Sequence, residues 1–272
     1  MKKFMTVMVV AMCMVGVAKV YALDLGKQIT INDNKSRGGY SGWWDGRNGH
    51  GDVGEDQEVE PGMQRGQNWD LEGFFLNEHT LSMVGGFDFI NGYQTRTSGD
   101  LFLDVDGDVA FGDNAPATGL KRHGNKKINN KFGYDYVLDL NFTDFTYDIY
   151  EIDKNSKVTM GYYRQNDTST AWAYESGGTK IGSGLIGYEQ GLSDAEAGGF
   201  RGGSHNVASV DLGFLSPGTS FTSHFTMSCG NDNLMGYGTT PDTPVATPEP
   251  GTLLLLGVGM VGLVSIARKR RS

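Results

Sequence analysis

The stretch "YDYVLDLNF" (residues 134–142) decides the fold, because apolar and polar side chains alternate along it. One face carries Tyr134, Tyr136, Leu138, Leu140 and Phe142, and the other carries Asp135, Asp139 and Asn141. Successive side chains of a β-strand point to opposite faces, so this alternation is typical of a half-buried strand. The stretch "FTYDIYEI" (145–152) repeats the pattern and predicts a second strand.

Further strands are predicted from the other apolar stretches of the chain. They are "LEGFFL", "TLSMVGGFDFI", "DLFLDVDGDVAFG", "VTMGYY", "STAWAYES", "NVASVDLGFL" and "SFTSHFTMSC". The chain has 41 glycines, and many lie between these stretches, where turns are expected. We therefore predict one all-β domain over residues 23–235, a β-sandwich or jelly roll of about nine or ten strands. One helical turn is expected at "LSDAEAGG", where Ser193 and Glu196 have the spacing of a capping box.

The first 22 residues have the composition of an export signal. Lys2 and Lys3 precede an apolar stretch over residues 4–17, and the small side chain of Ala22 suits a cleavage site. This order predicts a signal peptide over residues 1–22, which forms a helix and is cut after Ala22. An uncleaved membrane anchor is the alternative.

The C-terminal end has three parts in a fixed order. Pro248, Glu249 and Pro250 precede an apolar segment over residues 251–267, which is followed by Arg268, Lys269, Arg270 and Arg271. A helix over 251–267 would be roughly 25 Å long at about 1.5 Å per residue. This is short for a bilayer core of about 30 Å, but basic residues at the end extend its reach. We predict a single transmembrane helix over 251–267, a cytoplasmic basic tail, and a Pro/Thr linker over 236–247.

This tripartite end over residues 248–272 resembles the PEP-CTERM sorting signal. The resemblance implies that the chain is an exosortase substrate from a Gram-negative, exopolysaccharide-producing bacterium. It also implies that the helix anchors the chain transiently in the inner membrane, and that the body passes to the cell surface or extracellular matrix once the tail is removed. A plain single-span tail anchor is the alternative.

The charge of the chain excludes some partners. The sequence has 23 Lys and Arg against 32 Asp and Glu, a formal net charge of -9. Seven of the basic residues lie in the two ends but only one acid, Glu249, does, so the region between them is more acidic still. So acidic a surface argues against nucleic acid as a partner.

The cysteines permit no intrachain disulfide in the processed protein. Cys13 leaves with the signal peptide, and Cys229 then remains alone. A single thiol is either buried as a small apolar residue or pairs between molecules, and we expect burial.

The segment "DVDGD" is the sharpest candidate for a metal site. Asp104, Asp106 and Asp108 offer carboxylates at alternate positions, which Ca²⁺ prefers as a hard cation. The EF-hand pattern does not fit, because the glycine comes too early and Ala115 replaces the bidentate glutamate. The alternative is a bare type I′ hairpin turn at Asp106 and Gly107, joining strands at 101–105 and 108–111. The two readings are compatible.

A long, glycine-rich, acidic loop is predicted over residues 32–68. Its acidic run comprises Asp52, Glu55, Asp56, Glu58 and Glu60. Such a run is more often a solvated face, although it could add metal ligands or form a site of its own. Trp43 and Trp44 in the same loop could stack on sugar rings, or they could close the loop as a buried anchor.

The body has no catalytic signature that we can identify. Its histidines lack zinc-site spacing, and it has neither a nucleophile elbow nor a phosphate-binding loop. We therefore predict a protein without enzymatic activity that has a structural or adhesive role linked to exopolysaccharide or biofilm. The alternatives are a carbohydrate-binding module and a secreted polysaccharide-active hydrolase.

Overall fold

The computed structural model describes residues 23–33, 54–116, 124–162 and 171–243. Within these ranges it has fourteen β-strands, two short 3-10 turns and no α-helix, so the all-β prediction is confirmed. The strands are β1 (Lys27–Gln28), β2 (Leu71–Asn77), β3 (Thr80–Gly85), β4 (Leu101–Asp104), β5 (Gly124–Asn129), β6 (Tyr136–Asn141), β7 (Thr146–Glu151), β8 (Lys157–Tyr162), β9 (Ala171–Ser176), β10 (Thr179–Leu185), β11 (Gly187–Leu192), β12 (His205–Asp211), β13 (Ser220–Thr226) and β14 (Asn233–Thr239).

The strands form three antiparallel sheets. The five-stranded sheet has the order β1-β2-β3-β12-β11, the six-stranded sheet β10-β7-β6-β4-β13-β14, and the three-stranded sheet β5-β8-β9. Neighbours such as β2 and β3, β6 and β7, or β13 and β14 are consecutive in the chain, because short turns suffice to join antiparallel strands. β12 instead returns from far along the chain to pair with β3.

The five- and six-stranded sheets share the main hydrophobic core. Phe74, Met83 and Val210 come from the five-stranded sheet, and Leu103 and Phe225 come from the six-stranded sheet. All of these side chains are buried. Burial of each large apolar side chain contributes about 1.5–3 kcal/mol, so this shared core is the main favourable term holding the two sheets together.

A second core lies on the other face of the six-stranded sheet. Phe102 and Val137 occupy alternate positions to the residues of the main core and pack with Val158, Met160 and Ala171 from the three-stranded sheet. The six-stranded sheet is therefore covered on both faces around β4 and β6, whereas β10 at its edge is largely exposed. The alternation in "YDYVLDLNF" predicts only the main core, because Val137 is the one apolar residue on its polar face.

Two local predictions can be compared with the strand boundaries. β14 runs to Thr239, so the predicted domain end at 235 and the predicted linker start at 236 both fall inside a strand. In the turn after β11, the Ser193 N–H donates to Glu196 Oε2 at 2.9 Å, as the capping-box spacing predicts. The segment there is a turn and not a helix.

The predicted signal helix over 1–22 and transmembrane helix over 251–267 lie outside the described residues. Among the residues that are described, no helix has the length and apolar character that crossing a membrane requires.

Candidate functional site

Many of the predicted site residues lie outside the described ranges. They are Ala22, Trp43, Trp44, Asp52, Pro248, Glu249, Pro250, Arg268, Lys269, Arg270 and Arg271. The structure does place the "DVDGD" acids, the rest of the acidic run, and Cys229.

The "DVDGD" segment forms what we call the acidic loop, residues 104–108. The Gly107 N–H donates to Asp104 Oδ1 at 2.8 Å, and the Asp108 N–H donates to the same atom at 3.2 Å. The Asp108 N–H also lies 3.1 Å from Asp106 Oδ1. Asp104 is buried, whereas Asp106 and Asp108 are exposed, and one oxygen from each lies within 4.8 Å of the others. Backbone N–H groups therefore already donate hydrogen bonds to carboxylates of this loop.

The hairpin prediction for this loop is wrong. β4 ends at Asp104, and residues 108–111 form no strand. The physical reason is that β4 has no free edge, because β6 pairs with one side and β13 with the other. The chain leaves the sheet instead, and the Ala110 N–H donates to the Phe132 carbonyl at 2.7 Å.

The prediction that the acidic run is a solvated face is also wrong for its central residues. Glu55 is 2% exposed, Glu58 4% and Glu60 1%. Val59 lies between them in sequence and packs into the main core, which draws the segment inward. Carboxyl groups that were expected in water are thus enclosed by protein.

These glutamates belong to a group that we call the buried acidic cluster. Its members are Asp33, Glu55, Glu58, Glu60 and Asp232, all of them buried. One oxygen from each of Glu55, Glu58 and Asp232 lies within 4.8 Å of the others. Three separate parts of the chain meet there, since Asp33 ends the first described range and Asp232 directly precedes β14.

Hydrogen bonds fix one oxygen of several of these carboxyl groups. The Asp33 N–H donates to Glu55 Oε1 at 3.0 Å, and the Leu71 N–H donates to Asp232 Oδ2 at 2.5 Å. The Asn233 side-chain amide donates to Glu60 Oε1 at 2.7 Å. The second oxygen of each, Glu55 Oε2, Asp232 Oδ1 and Glu60 Oε2, is buried without a hydrogen-bond donor among the described residues.

The electrostatics of the cluster are dominated by like charges. Burial raises the pKa of Glu55 well above its usual range, and repulsion from Asp33 and Glu58 raises it further. Burial and the same two neighbours raise the pKa of Glu60. Burial, and then repulsion from Glu58, raises the pKa of Asp232. A low-dielectric interior disfavours several ionised carboxylates together, so the cluster holds either protons or a cation.

The neighbouring acids differ, because basic or hydrogen-bond-donating side chains lie beside them. The ring of His205 is fully buried, with Nδ1 2.7 Å from Glu72 Oε2 and Nε2 3.1 Å from Asp194 Oδ1. The Gln67 amide donates to Glu72 Oε1 at 2.8 Å. The Arg201 guanidinium pairs with Asp56 at 2.9 Å. This histidine-linked network is therefore supplied with donors by the protein itself.

Sequence reasoning missed two members of the buried acidic cluster. Asp33 and Asp232 lie in short polar stretches, "NDN" and "CGND", that read as turns. Almost the whole domain separates them in sequence, and they meet only because Ile31 pairs with β14, where its N–H donates to the Met235 carbonyl at 2.8 Å. No local pattern could have found this long-range pairing.

An open groove of about 480 Å³ lies beside β6 and β7. Its lining includes Ile90, Asp139, Asn141, Phe142 and Asp148. Asp139 and Asp148 are direct cross-strand neighbours. Asp148 is paired with Lys180 at 2.6 Å. The groove thus offers polar groups beside apolar ones, with one of its two carboxylates already neutralised.

Cys229 is buried, as expected from the sequence. Burial also raises the pKa of its thiol, which disfavours the reactive thiolate.

Comparisons with known proteins give one match. The family described as the PEP-CTERM protein-sorting motif matches residues 246–271. No significant match was found among the curated proteins or the solved structures.

Proposed function

Because this chain is a PEP-CTERM protein, exported and sorted as an exosortase substrate, we propose that its β-rich body is a structural or adhesive component of the cell surface or extracellular matrix. The observation that carries this proposal is the sorting motif at residues 246–271, joined to a body whose described part is built from sheets. The proposal includes a Gram-negative host, release after cleavage beside the Pro-Glu-Pro segment, and association with exopolysaccharide or biofilm. It assigns the protein no enzymatic reaction.

The architecture is consistent with a mechanical role outside the cell. Two sheets that share one core support the β-sandwich interpretation, with a jelly-roll connection of strands as the finer proposal. The third sheet covers a face that would otherwise meet solvent. Such a layered body resists local opening because most of its strands are fixed by packing on one face or both.

A carbohydrate-binding role is the second candidate, and the open groove beside β6 and β7 favours it. Asp139 and Asn141 at the groove can accept or donate hydrogen bonds to sugar hydroxyls, while Ile90 and Phe142 offer apolar surface. The pairing of Asp148 with Lys180 argues against a hydrolase there, which would need two free carboxyl groups. An Asp139→Asn variant that binds extracellular polysaccharide as tightly as the wild type would remove this candidate.

Calcium at the acidic loop stays a prediction. Asp104, Asp106 and Asp108 lie close enough together to share a cation, but their loop is also stabilised by backbone donors. Loss of calcium-dependent thermal stabilisation on Asp106→Ala would support a site in this loop.

The proposed function is tested in cells with and without the exosortase. We expect the protein in the surface or matrix fraction of exosortase-positive cells, with a mass that lacks the residues after the Pro-Glu-Pro segment. The double substitution Pro248→Ala/Pro250→Ala should leave the chain in the membrane, while Pro244→Ala, a matched change in the linker, should not. Full-length chains in the membrane of exosortase-positive cells would contradict the sorting account.

The structural role needs a separate measurement. A strain that lacks the protein should form a weaker matrix, and the wild-type chain and the Pro244→Ala variant should both restore it. An unchanged matrix in the deletion strain would remove the structural role and leave the sorting account intact.

A further inference from the structure

We propose that the buried acidic cluster is a Ca²⁺ site, with Glu55, Glu58 and Asp232 as its central ligands. The site lies where β14 begins, beside Asp232, and shares no residue with the acidic loop. Its carboxyl groups come from segments far apart in sequence, so a bound ion would join them.

The spacing of the carboxylate oxygens fits a single ion. One oxygen from each of Glu55, Glu58 and Asp232 lies within 4.8 Å of the others. Calcium binds oxygen at about 2.3–2.6 Å, so two oxygens on opposite sides of one ion are about 5 Å apart. The three oxygens can therefore contact the same ion without a large movement of the backbone.

The unpartnered oxygens are an independent reason to expect a ligand. Glu55 and Asp232 each have one oxygen held by a backbone N–H and a second that is buried without a donor among the described residues. Asn233 is 1% exposed, and its Oδ1 is also unpartnered, while its amide nitrogen is held by Glu60. Leaving a buried acceptor unsatisfied costs about 1–3 kcal/mol. Several such acceptors in one place, without donors among the described residues, point to a bound ligand.

The partner must be positively charged. The neighbouring histidine-linked network contains His205, Gln67 and Arg201, which supply its carboxylates with donors. Among the described residues, the charged groups that act most strongly on Glu55, Glu60 and Asp232 are other carboxylates. A bound cation would offset the repulsion between these carboxylates, whereas an anion or a neutral ligand would not.

The ligand chemistry selects calcium among common cations. The cluster offers carboxylate oxygens and the amide oxygen of Asn233, with no histidine or cysteine among its members. Hard oxygen ligands of this number suit Ca²⁺, which takes about six to eight of them. Mg²⁺ prefers to keep several of its waters and rarely occupies a cage made of protein alone. An exported protein also meets calcium outside the cell.

A bound ion would have a structural consequence. It would join the segment from Glu55 to Glu60, whose Glu55 accepts from the Asp33 N–H, to the start of β14. The hydrogen bonds that already tie these segments include the Asp33 N–H to Glu55 Oε1 at 3.0 Å and the Glu60 N–H to the Asn231 carbonyl at 3.2 Å. Calcium would therefore hold the segment from Glu55 to Glu60 against the edge of the two main sheets.

The test is a calorimetric titration of the exported protein with calcium chloride after treatment with chelator. We expect one saturable site in the wild type, and an affinity at least about 100-fold weaker in Glu55→Gln/Asp232→Asn. Asp106→Asn is the matched control, since it removes one acid from the acidic loop, and it should retain the wild-type affinity. The double variant should also melt at a higher temperature than the wild type in chelator, because it removes two buried charges.

Three results would overturn the proposal: no saturable calcium binding by the wild type, equal binding by the double variant, or loss of binding in Asp106→Asn. If the double variant does not fold, Glu58→Gln replaces it, with the same expectation. Elemental analysis of the wild type as isolated, before any chelator, should find about one calcium per chain, and calcium-free protein at millimolar external calcium would equally count against the site.

Discussion

Three groups of three carboxylates among the described residues satisfy the same distance criterion, one of them Asp56, Asp70 and Glu72 in the histidine-linked network. The other two, in the acidic loop and the buried acidic cluster, have opposite surroundings. In the acidic loop, Asp106 and Asp108 are exposed and backbone N–H groups approach Asp104. In the buried acidic cluster, all three central ligands are enclosed, and oxygens of Glu55 and Asp232 have no donor among the described residues.

The difference shows that the spacing of acids alone does not identify a cation site. In water, carboxylates at this distance are hydrated and their repulsion is weak, so an exposed loop tolerates them without an ion. In a low-dielectric interior the same group is costly unless protons or a cation compensate it. The missing donors, and not the acid count, distinguish the buried acidic cluster.

The largest effect is expected from pH at Asp70 and Glu72, two buried acids outside the buried acidic cluster, measured in chelator so that no bound ion contributes. Burial raises the pKa of Asp70 from 3.8 to about 9 and that of Glu72 from 4.5 to about 8. Between the ordinary and the raised pKa of each group, the folded chain keeps a proton that the unfolded chain has released. The free energy of unfolding therefore falls as the pH rises. The stability that depends on these two carboxyl groups being protonated is complete below about pH 4 and lost by about pH 9.

Thermal melting from pH 5 to pH 9 checks this expectation. The melting temperature should fall across the range, and Asp70→Asn, which cannot ionise, should reduce the slope. A melting temperature that stays constant or rises in chelator would show that these carboxyl groups do not titrate as their burial implies.

The second effect concerns the ion itself. Calcium at 100 times its dissociation constant should stabilise the folded protein by about 2.7 kcal/mol relative to chelator, because only the folded chain assembles the cluster. Urea unfolding with and without calcium measures this difference. Equal free energies of unfolding with and without calcium would contradict calcium binding at the buried acidic cluster. The proposed contrast with the acidic loop would then be wrong.

A smaller effect is expected from the acidic loop. Asp104→Ala removes the acceptor for two backbone N–H groups, and the loss should be about 1–2 kcal/mol. The variant should keep its full response to calcium. A lost calcium response would instead assign the ion to the acidic loop.

The smallest effect is expected at Gly107, whose φ is 94°. Alanine is strained in this conformation, and Gly107→Ala should cost about 1 kcal/mol without changing calcium binding. Urea unfolding is again the measurement, and a neutral result would indicate that the loop relaxes around the new side chain.

The sequence predicts the strands that carry clear alternation, and it misses every edge strand of the described sheets except β9. Among the described residues, the unpredicted strands are β1, β5, β10, β11 and β14, and every one of them is an edge strand. Most of these strands place few side chains in a core, so their apolar alternation is weak, whereas β14 buries Leu234 and Met235 side by side without alternation. In β10, Ile181 and Leu185 alternate with polar and glycine residues but remain exposed.

The candidate site could be predicted only in part. The acids at Glu55, Glu58 and Glu60 are visible as a local run, but their burial is not, because Val59 alone marks the segment as inward-facing. Asp33 and Asp232 are contributed through pairing across the whole domain. The pattern "DVDGD" predicts a hairpin. The prediction is wrong because β6 and β13 pair with both sides of β4, which local sequence does not show.

The most direct test is anomalous X-ray scattering from crystals of the exported protein grown with calcium. The account predicts one calcium peak bonded to oxygens of Glu55, Glu58 and Asp232, at about 2.3–2.6 Å. A calcium peak at the acidic loop alone, or well-ordered cluster carboxylates without any peak between them, would contradict it.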